Sequence, residues 1–397
     1  MTQSQTQNLS VLERGVAQVL PDSKSLATKL AQGKIRVYLG IDPTGSLLTL
    51  GHSVVLRKLQ QFADLGHEVI LLIGNGTVRI GDPTGRDSTR PTLTDEDIRK
   101  NFETWKEQAS KVLDFSKIEI RYNGDWLDKL TYVDMINLMA QTTAQQLLER
   151  DMFQERMKKG LPIHGHELLY PLLQGYDSVV MDVDLEIGGT DQTFNMMVGR
   201  QLQRQLKNRE KWVLTTPIIN GTDGRKMSKS YGNFIALIDE PNDMYGKLMS
   251  ITDEMIIEYF TVLTDVSETE ISQMEKSIVA GENPMEYKKK LAFIITKMYH
   301  DEKAAQEAEA FFEKTVQNNE IPEDIPSVTV SADDTLISVL KKAFPDESST
   351  QLRRLIDQSA VELLPSGERP TDPFFVLDVT QTQTIRLGKR RYVTLDS

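Results

Sequence analysis

KIRVYLGIDPTGSLLTLGHSVVLRKLQQFADLGHEVILLIG, residues 34–74, is the stretch on which the fold turns. KIRVYLG (34–40) reads as a short buried strand. GHSVVLRKLQQFADLG (51–66) carries Val55, Leu56, Leu59 and Phe62 at helical spacing, and Gly66 is its stop signal. EVILLIG (68–74) is a second buried strand. Strand, loop, helix and strand in this order predict a parallel βαβ unit, because parallel strands need a long crossover between them.

Outward from this unit the alternation continues. Thr94 opens a polar-faced helix with Asp97 three residues on, in a capping-box pattern. IEIRY (118–122) is a further strand, and two or more helices fill 131–180. DLEIGG, a helix from about 192 and the strand WVLTTP complete the pattern, which ends near 233. Residues 239 to about 318 are charge-rich and predicted helical, and NNEIPEDIPS (318–327) reads as a linker. From about 334 a small α+β module is expected from LISVLKKAF, STQLRRLIDQSA, FFVLDV and QTIRLGKRRYVTLD. The fold class is therefore α/β, with a Rossmann-like parallel sheet followed by a helical region and a small α+β module.

Composition bounds what such a chain does. Hydrophobic residues make up 39% and charged residues 26% of its 397, as in soluble globular proteins. No apolar run reaches transmembrane length and the first residues lack a basic-then-apolar signal, so a cytoplasmic protein without a membrane partner is expected. With no cysteine, disulfides and thiolate metal sites are excluded. The five histidines are scattered, and His164 and His166 lie two apart, poor spacing for a structural metal; none is expected. A net charge of −12 argues against indiscriminate coating of nucleic acid but leaves room for local basic patches.

Five stretches carry chemistry. In the first loop Gly40, Gly45 and Gly51 let backbone approach a ligand, and Gly51 and His52 stand at a helix start, where free N–H groups favour anions. In IGNGTVRIGDPTGRDSTR (73–90), Asp82 follows the end of a buried strand, with Arg86 and Arg90 just beyond. That arrangement suits a ligand ammonium and phosphates, or a solvated loop. Tyr170, Gln174 and Asp177 recur at i, i+4 and i+7 and share one helix face, a polar stripe satisfied by a polar ligand or by an internal network. Asp191 and Gln192 follow two glycines at a strand end, where an aspartate binds a ribose diol or caps the next helix. GRKMSKSYGN (224–233) sets Lys226 and Lys229 on a loop that can hardly bury them: a surface turn, or a clamp for a polyphosphate.

Together these loops resemble a known family. TLGH (49–52) resembles the nucleotide signature of the class I aminoacyl-tRNA synthetases, and KMSKS (226–230) matches their second signature letter for letter. YLGIDPTG, IGDPTGR, YPLLQGYDS and GGTDQ resemble the bacterial tyrosyl-tRNA synthetases, over most of the chain. STQLRRLIDQSA with RLGKRRYV resembles, more loosely, the S4 RNA-binding domain.

The resemblance implies activation of L-tyrosine by ATP and transfer to the 3′ end of tRNA(Tyr). It implies a catalytic domain over 1–233 with an inserted, dimer-forming segment at about 94–165. A helical anticodon-side domain and linker would follow over 234–327, then an S4-like domain over 334–397, in a homodimer. Tyr38 and Asp177 would bind the substrate phenol; Asp82, Tyr170 and Gln174 its ammonium; Gln192 would lie near the α-carboxylate. Gly40, Asp42, Gly51, His52, Gly189 and Asp191 would line the ATP site, with Asp191 on the ribose. Arg86, Arg90, Lys226, Lys229 and Ser230 would surround the pyrophosphate. Mg2+ would arrive with ATP, with no tightly bound cofactor. Arg386, Lys389, Arg390 and Arg391 would bind tRNA.

One position departs from the family. Thr49 stands where the signature has its first histidine; its hydroxyl, with Thr44 beside it, is expected to touch the γ-phosphate, or Thr49 caps the following helix and Thr44 makes the contact. Tryptophanyl-tRNA synthetases share both signatures, but Tyr38 with Asp177 argues for a phenol, since an indole N–H needs only one acceptor. Small nucleotidyltransferases would leave the helical region and basic tail unexplained. An RNA-binding protein without catalysis would leave KMSKS and GGTDQ unexplained.

Overall fold

The computed structural model describes residues 10–83, 94–317, 325–331, 334–345, 347–378, 382, 384–388 and 391–396, with Asp95 and Ser230 described in the backbone only. The chain forms two compact units: residues up to Asp239 with Ser250–Leu291, and Glu240–Met249 with the residues from Ala292 on.

The first unit holds a six-stranded sheet of β1 (Gln18–Leu20), β2 (Arg36–Ile41), β3 (Glu68–Ile73), β4 (Ile118–Tyr122), β5 (Leu185–Gly189) and β6 (Trp212–Thr216). Their order is β1-β6-β5-β2-β3-β4. All neighbours are parallel except β1, which runs antiparallel to β6. β1 was not foreseen; its three residues are too short for a pattern. From β2 the chain steps outward to β3 and β4, then returns to add β5 and β6 on the other side. The switch point therefore lies between β2 and β5, where open α/β sheets leave a crevice at the strands' carboxyl ends.

The crossover helix α1 (Leu50–Asp64) buries Leu56, Leu59 and Phe62 as the spacing predicts, whereas Val55 is only half-buried. Thr94 caps α2 (Asp95–Ala109), and its capping box with Asp97 is present. This helix braces the first loop: Asn101 donates to Pro43 O at 3.0 Å, and Gln108 donates to Ser46 O and accepts from Leu48 N, both at 2.7 Å. α3 (Tyr132–Met139), α4 (Tyr170–Met181) and α5 (Thr193–Lys207) follow. The last two pack closely because Gly175 and Gly199 face each other; a Cβ on Gly175 would meet Gly199 Cα at 3.0 Å.

The second unit contains a four-stranded sheet ordered β7-β10-β9-β8, from β7 (Ser327–Thr329), β8 (Val361–Leu364), β9 (Thr384–Leu387) and β10 (Arg391–Asp396). α6 (Leu336–Ala343) and α7 (Ser349–Asp357) join it in one apolar core that includes Leu340, Leu352, Ile356, Leu363 and Ile385. FFVLDV contributes no strand within 374–378: only Val376 makes an isolated bridge, to Thr335, while Phe374 stays exposed. The linker expected over 318–327 lies largely outside the described residues.

Candidate active site

A cavity of about 610 Å³ opens at the switch point, over the carboxyl ends of β2 and β5. Backbone makes room for it. A Cβ on Gly74, just past β3, would stand 1.9 Å from Asp42 Oδ1, so only glycine lets Asp42 occupy its place. Asp42 then accepts from Thr77 Oγ1 at 2.8 Å and from Tyr170 Oη at 2.9 Å.

One end of the cavity is closed and polar. The stripe on α4 reaches it, and each member has a protein partner. Tyr170 holds Asp42; Gln174 Nε2 donates to Glu186 Oε1 at 3.1 Å; Asp177 accepts from Asn123 Nδ2 at 3.1 Å and Trp126 Nε1 at 2.8 Å. Burial pushes the Asp177 carboxyl well above the usual range, and the charges of Glu186 and Asp42 add to the rise, while the two donors oppose it. Tyr38 lies fully buried beneath, its hydroxyl 2.8 Å from Ser178 Oγ. Burial, then Glu186 and Asp177, raise its pKa well above that of a free phenol. Asp82 enters from the second loop and accepts from Gln192 Nε2 at 2.7 Å, with Arg150 Nη2 at 3.8 Å. Asn195 Nδ2 in turn holds Gln192 Oε1 at 2.9 Å, which fixes the direction of the Gln192 amide.

The other end is open. Gly51 and His52 begin α1, and Gly40, Thr44, Gly189 and Asp191 also line the cavity. Thr44 is exposed, with its N–H on Asp42 O at 2.8 Å. Thr49 N donates to His52 Nδ1 at 3.1 Å, and Thr49 Oγ1 lies 2.9 Å from the same nitrogen. A backbone N–H can only donate, so Nδ1 is the acceptor and the ring proton sits on Nε2. Burial and then the nearby charge of Lys229 hold His52 down at about 4, so the ring is neutral at pH 7. The Thr49 hydroxyl thus faces the imidazole.

The KMSKS loop lies across this end. Asn233, almost fully buried, staples it: Nδ2 donates to Asp223 Oδ1 and to the carbonyls of Arg225 and Lys226, and Oδ1 accepts from Ser228 N at 2.8 Å. The chain beyond it pairs with the α1 entry, Leu50 N on Ile235 O at 2.9 Å. Lys226 Nζ donates to Asp191 Oδ2 at 3.1 Å, and Lys229 Nζ reaches the neighbourhood of Gly45, 3.3 Å from where a Cβ would stand. Ser230 lies in the short turn Lys229–Tyr231. Arg86 and Arg90 lie outside the described residues, as do Lys389 and Arg390. Arg386 pairs with Glu362, and Arg391 with Glu347 at 2.6 Å while lying over the Phe344 ring.

The structure thus gathers the described candidates of the first unit around one cavity, with Tyr38 fully buried behind its wall and Lys229 beside its mouth. Sequence reading missed Asn123, Trp126, Arg150, Ser178, Glu186 and Lys211. Asn123 follows a strand end, as Asp82 does, and was open to the same argument. Glu186 and Lys211 offered a signal too: charges in or beside otherwise apolar strands. Arg150 lies buried against the rings of Phe153 and Phe194, and nothing local in the sequence marks it.

Residues 30–317 match the family model described as tRNA synthetases class I (W and Y). The chain is 45% identical over 388 residues to the tyrosine–tRNA ligase of Thermotoga maritima, covering 97% of this chain and 96% of that one. It is 43% identical over 402 residues to the tyrosine–tRNA ligase of Moorella thermoacetica, covering 100% and 97%. The fold is similar to that of the tyrosyl-tRNA synthetase from Archaeoglobus fulgidus crystallised with L-tyrosine, at TM-score 0.63 and 22% identity over 77% of this chain and 99% of that one. It is also similar to a C-terminally truncated mitochondrial tyrosyl-tRNA synthetase of Aspergillus nidulans, at TM-score 0.64 and 20% identity over 78% and 93%.

Proposed function

The chain belongs to the class I tRNA synthetases of the W and Y type, and from this we infer that it is a tyrosine–tRNA ligase. It activates L-tyrosine with ATP and passes the tyrosyl group to tRNA(Tyr). In the first step a tyrosine carboxylate oxygen attacks the α-phosphorus and pyrophosphate leaves. In the second a ribose hydroxyl at the tRNA 3′ end attacks the tyrosyl carbonyl and AMP leaves. No covalent enzyme intermediate is needed, so catalysis rests on positioning and on stabilising phosphate charge.

The observation that carries the site reading is the pairing of a closed, acidic pocket with a lysine-bearing loop across one switch-point cavity. Tyr38 and Asp177 take the phenol. Asp82, Tyr170 and Gln174 take the ammonium, leaving the carboxylate near Gln192 and facing the open end. Asp191 takes the ATP ribose once Lys226 releases it. Neutral His52, with its proton on Nε2, donates to a phosphate oxygen and adds no repulsion to Lys229. Gly40, Gly51 and Gly189 admit the nucleotide, and Lys226, Lys229, Ser230, Arg86 and Arg90 gather charge on the leaving pyrophosphate, to which Mg2+ comes with ATP.

We further propose a cytoplasmic homodimer. Among the described residues no helix is long and apolar enough to cross a membrane. α3, in the 94–165 segment, exposes Tyr132, Val133, Ile136 and Met139 at 81%, 61%, 47% and 49%, an apolar face that a second copy would cover. The 334–397 module serves as the S4-like tRNA-binding part, supported by exposed Arg353 and Arg354 on α7. Truncation before residue 334 leaves tyrosyl-adenylate formation intact and weakens aminoacylation. A folded truncation that cannot form adenylate refutes that division.

Tyrosine-dependent exchange of label between pyrophosphate and ATP tests the ligase reading. Exchange with tyrosine and none with tryptophan is expected; exchange with tryptophan alone, or none, overturns it.

A further inference from the structure

Lys211 and Glu186 form an ion pair, Glu186 at the cavity wall and Lys211 buried behind it, with the Lys211 and Glu186 side chains 0% and 2% exposed. Replacing such a pair by apolar side chains of similar volume is often neutral or stabilising, so stability alone does not account for it. Its surroundings do. Glu186 Oε1 accepts the Gln174 amide N–H at 3.1 Å, and Lys211 Nζ donates to Ser178 Oγ at 2.8 Å, the hydroxyl that meets Tyr38. The chain also makes room for Lys211: a Cβ on Gly199 would stand 2.6 Å from its Nζ.

The amide of Gln174 has two possible orientations, and only one suits an ammonium ion. A carboxylate has no proton to give, so it selects the orientation with Nε2 towards Glu186 and Oε1 away from it. That Oε1 is buried and has no hydrogen-bond partner among the described residues. Gln174 lines the cavity, and a buried acceptor left unpaired there costs free energy that a ligand donor would relieve. Lys211 in turn supplies the countercharge to Glu186 within this buried pair.

We propose that the buried Glu186–Lys211 pair is a positioning device for the amino-acid site: it fixes Gln174 with its carbonyl oxygen presented to the substrate ammonium. The inference rests on the tyrosine-binding reading of the cavity.

The test measures dissociation constants for L-tyrosine and for its des-amino analogue, 3-(4-hydroxyphenyl)propionate, on the full chain. Removing Glu186 alone would strand Lys211 without a countercharge, so the informative variant is the double substitution Glu186→Met with Lys211→Met. The preference for tyrosine over the analogue is expected to fall about tenfold or more, one hydrogen bond to a charged group. Because the pair also reaches Tyr38 through Ser178, absolute affinities are not diagnostic; the ratio is. Glu186→Gln with Lys211→Met keeps an acceptor for Gln174 and should recover part of the preference. A ratio within twofold of the parent in the Met–Met protein, or equal loss in both variants, overturns the positioning role. A parent that binds tyrosine no better than the analogue overturns the reading of the site on which it rests.

Discussion

At the closed end of the cavity Tyr38, Asp177, Ser178, Glu186 and Lys211 are each 2% exposed or less, whereas at the open end the side chains of Lys226 and Asp191 are 52% and 31% exposed. The closed end is a chain of short hydrogen bonds in a low-dielectric setting, where an unpaired polar group is costly. The open end is held by backbone pairing and the Asn233 staple, while its cations stay in water, where an ion pair is worth little. The difference matches two tasks. Telling one side chain from another needs groups that suffer when their partner is missing. Drawing charge onto a leaving group needs cations that change partners cheaply, and on the proposed reading the exposed Lys226–Asp191 contact would give way to ATP at small cost.

The comparison breaks most visibly at Asp177. Asp177→Ala removes the acceptor that Asn123 and Trp126 organise. The tyrosine-over-phenylalanine ratio in kcat/KM should fall by roughly a hundredfold, about 3 kcal/mol, as expected when a buried hydrogen-bonding contact is lost and its partners are left unpaired. ATP dependence should be little changed. An unaltered ratio would remove Asp177 from recognition of the phenol.

At the open end effects should fall on rate. Lys229→Ala is expected to slow adenylate formation by roughly ten- to a hundredfold, about 1.4–2.7 kcal/mol, with tyrosine binding unchanged. It also lifts part of the depression on His52. The parent ring, at about 4, stays neutral through pH 7, so its contribution is lost only as pH falls towards that value. In the variant the loss should begin at higher pH. Stability follows the same sign. The unfolded chain takes up the His52 proton near pH 6.5 and the folded one only near 4, so folding weakens as pH drops through this window. That slope should be shallower in Lys229→Ala. A single-turnover pH profile and denaturant midpoints at pH 7 and 5 measure both; identical profiles would show that Lys229 does not act on His52.

The smallest effect is expected at Thr49. Its hydroxyl meets His52 Nδ1, and the backbone N–H remains a donor to that nitrogen without it. Thr49→Ala should therefore slow adenylate formation by no more than about tenfold, through a loosened ring, and Thr49→Ser should restore the rate. A larger loss would return the hydroxyl to direct contact with the γ-phosphate, as the sequence suggests.

Much of this was legible in the chain. Alternating apolar runs place β2, α1, β3, β4, β5, α5 and β6 within a residue or two, because burial of parallel strands and of one helix face imposes periodicity on the sequence itself. Asp82, Asp191 and Lys226 are legible because they follow strand ends or sit in glycine-rich turns, and Gly40 because it is a glycine near the end of β2, all local features. Tyr170, Gln174 and Asp177 share a helix face, again a local matter.

What the sequence left open was who meets whom. Whether the α4 stripe awaited a ligand or an internal network had no local answer, and the fold supplies a network that leaves Gln174 Oε1 open. Tyr38 and Ser178 are 140 residues apart, and Trp126 and Asp177 are 51 apart. They meet because the sheet order brings β2 beside β5 and α4 over them. Glu186 and Lys211 are only 25 apart, yet as letters they are charges in or beside two apolar strands. Periodicity reports which face of an element is buried. The partner of a buried polar atom is decided by strand order and by close approaches such as Gly175 to Gly199, which exist only once the chain has folded.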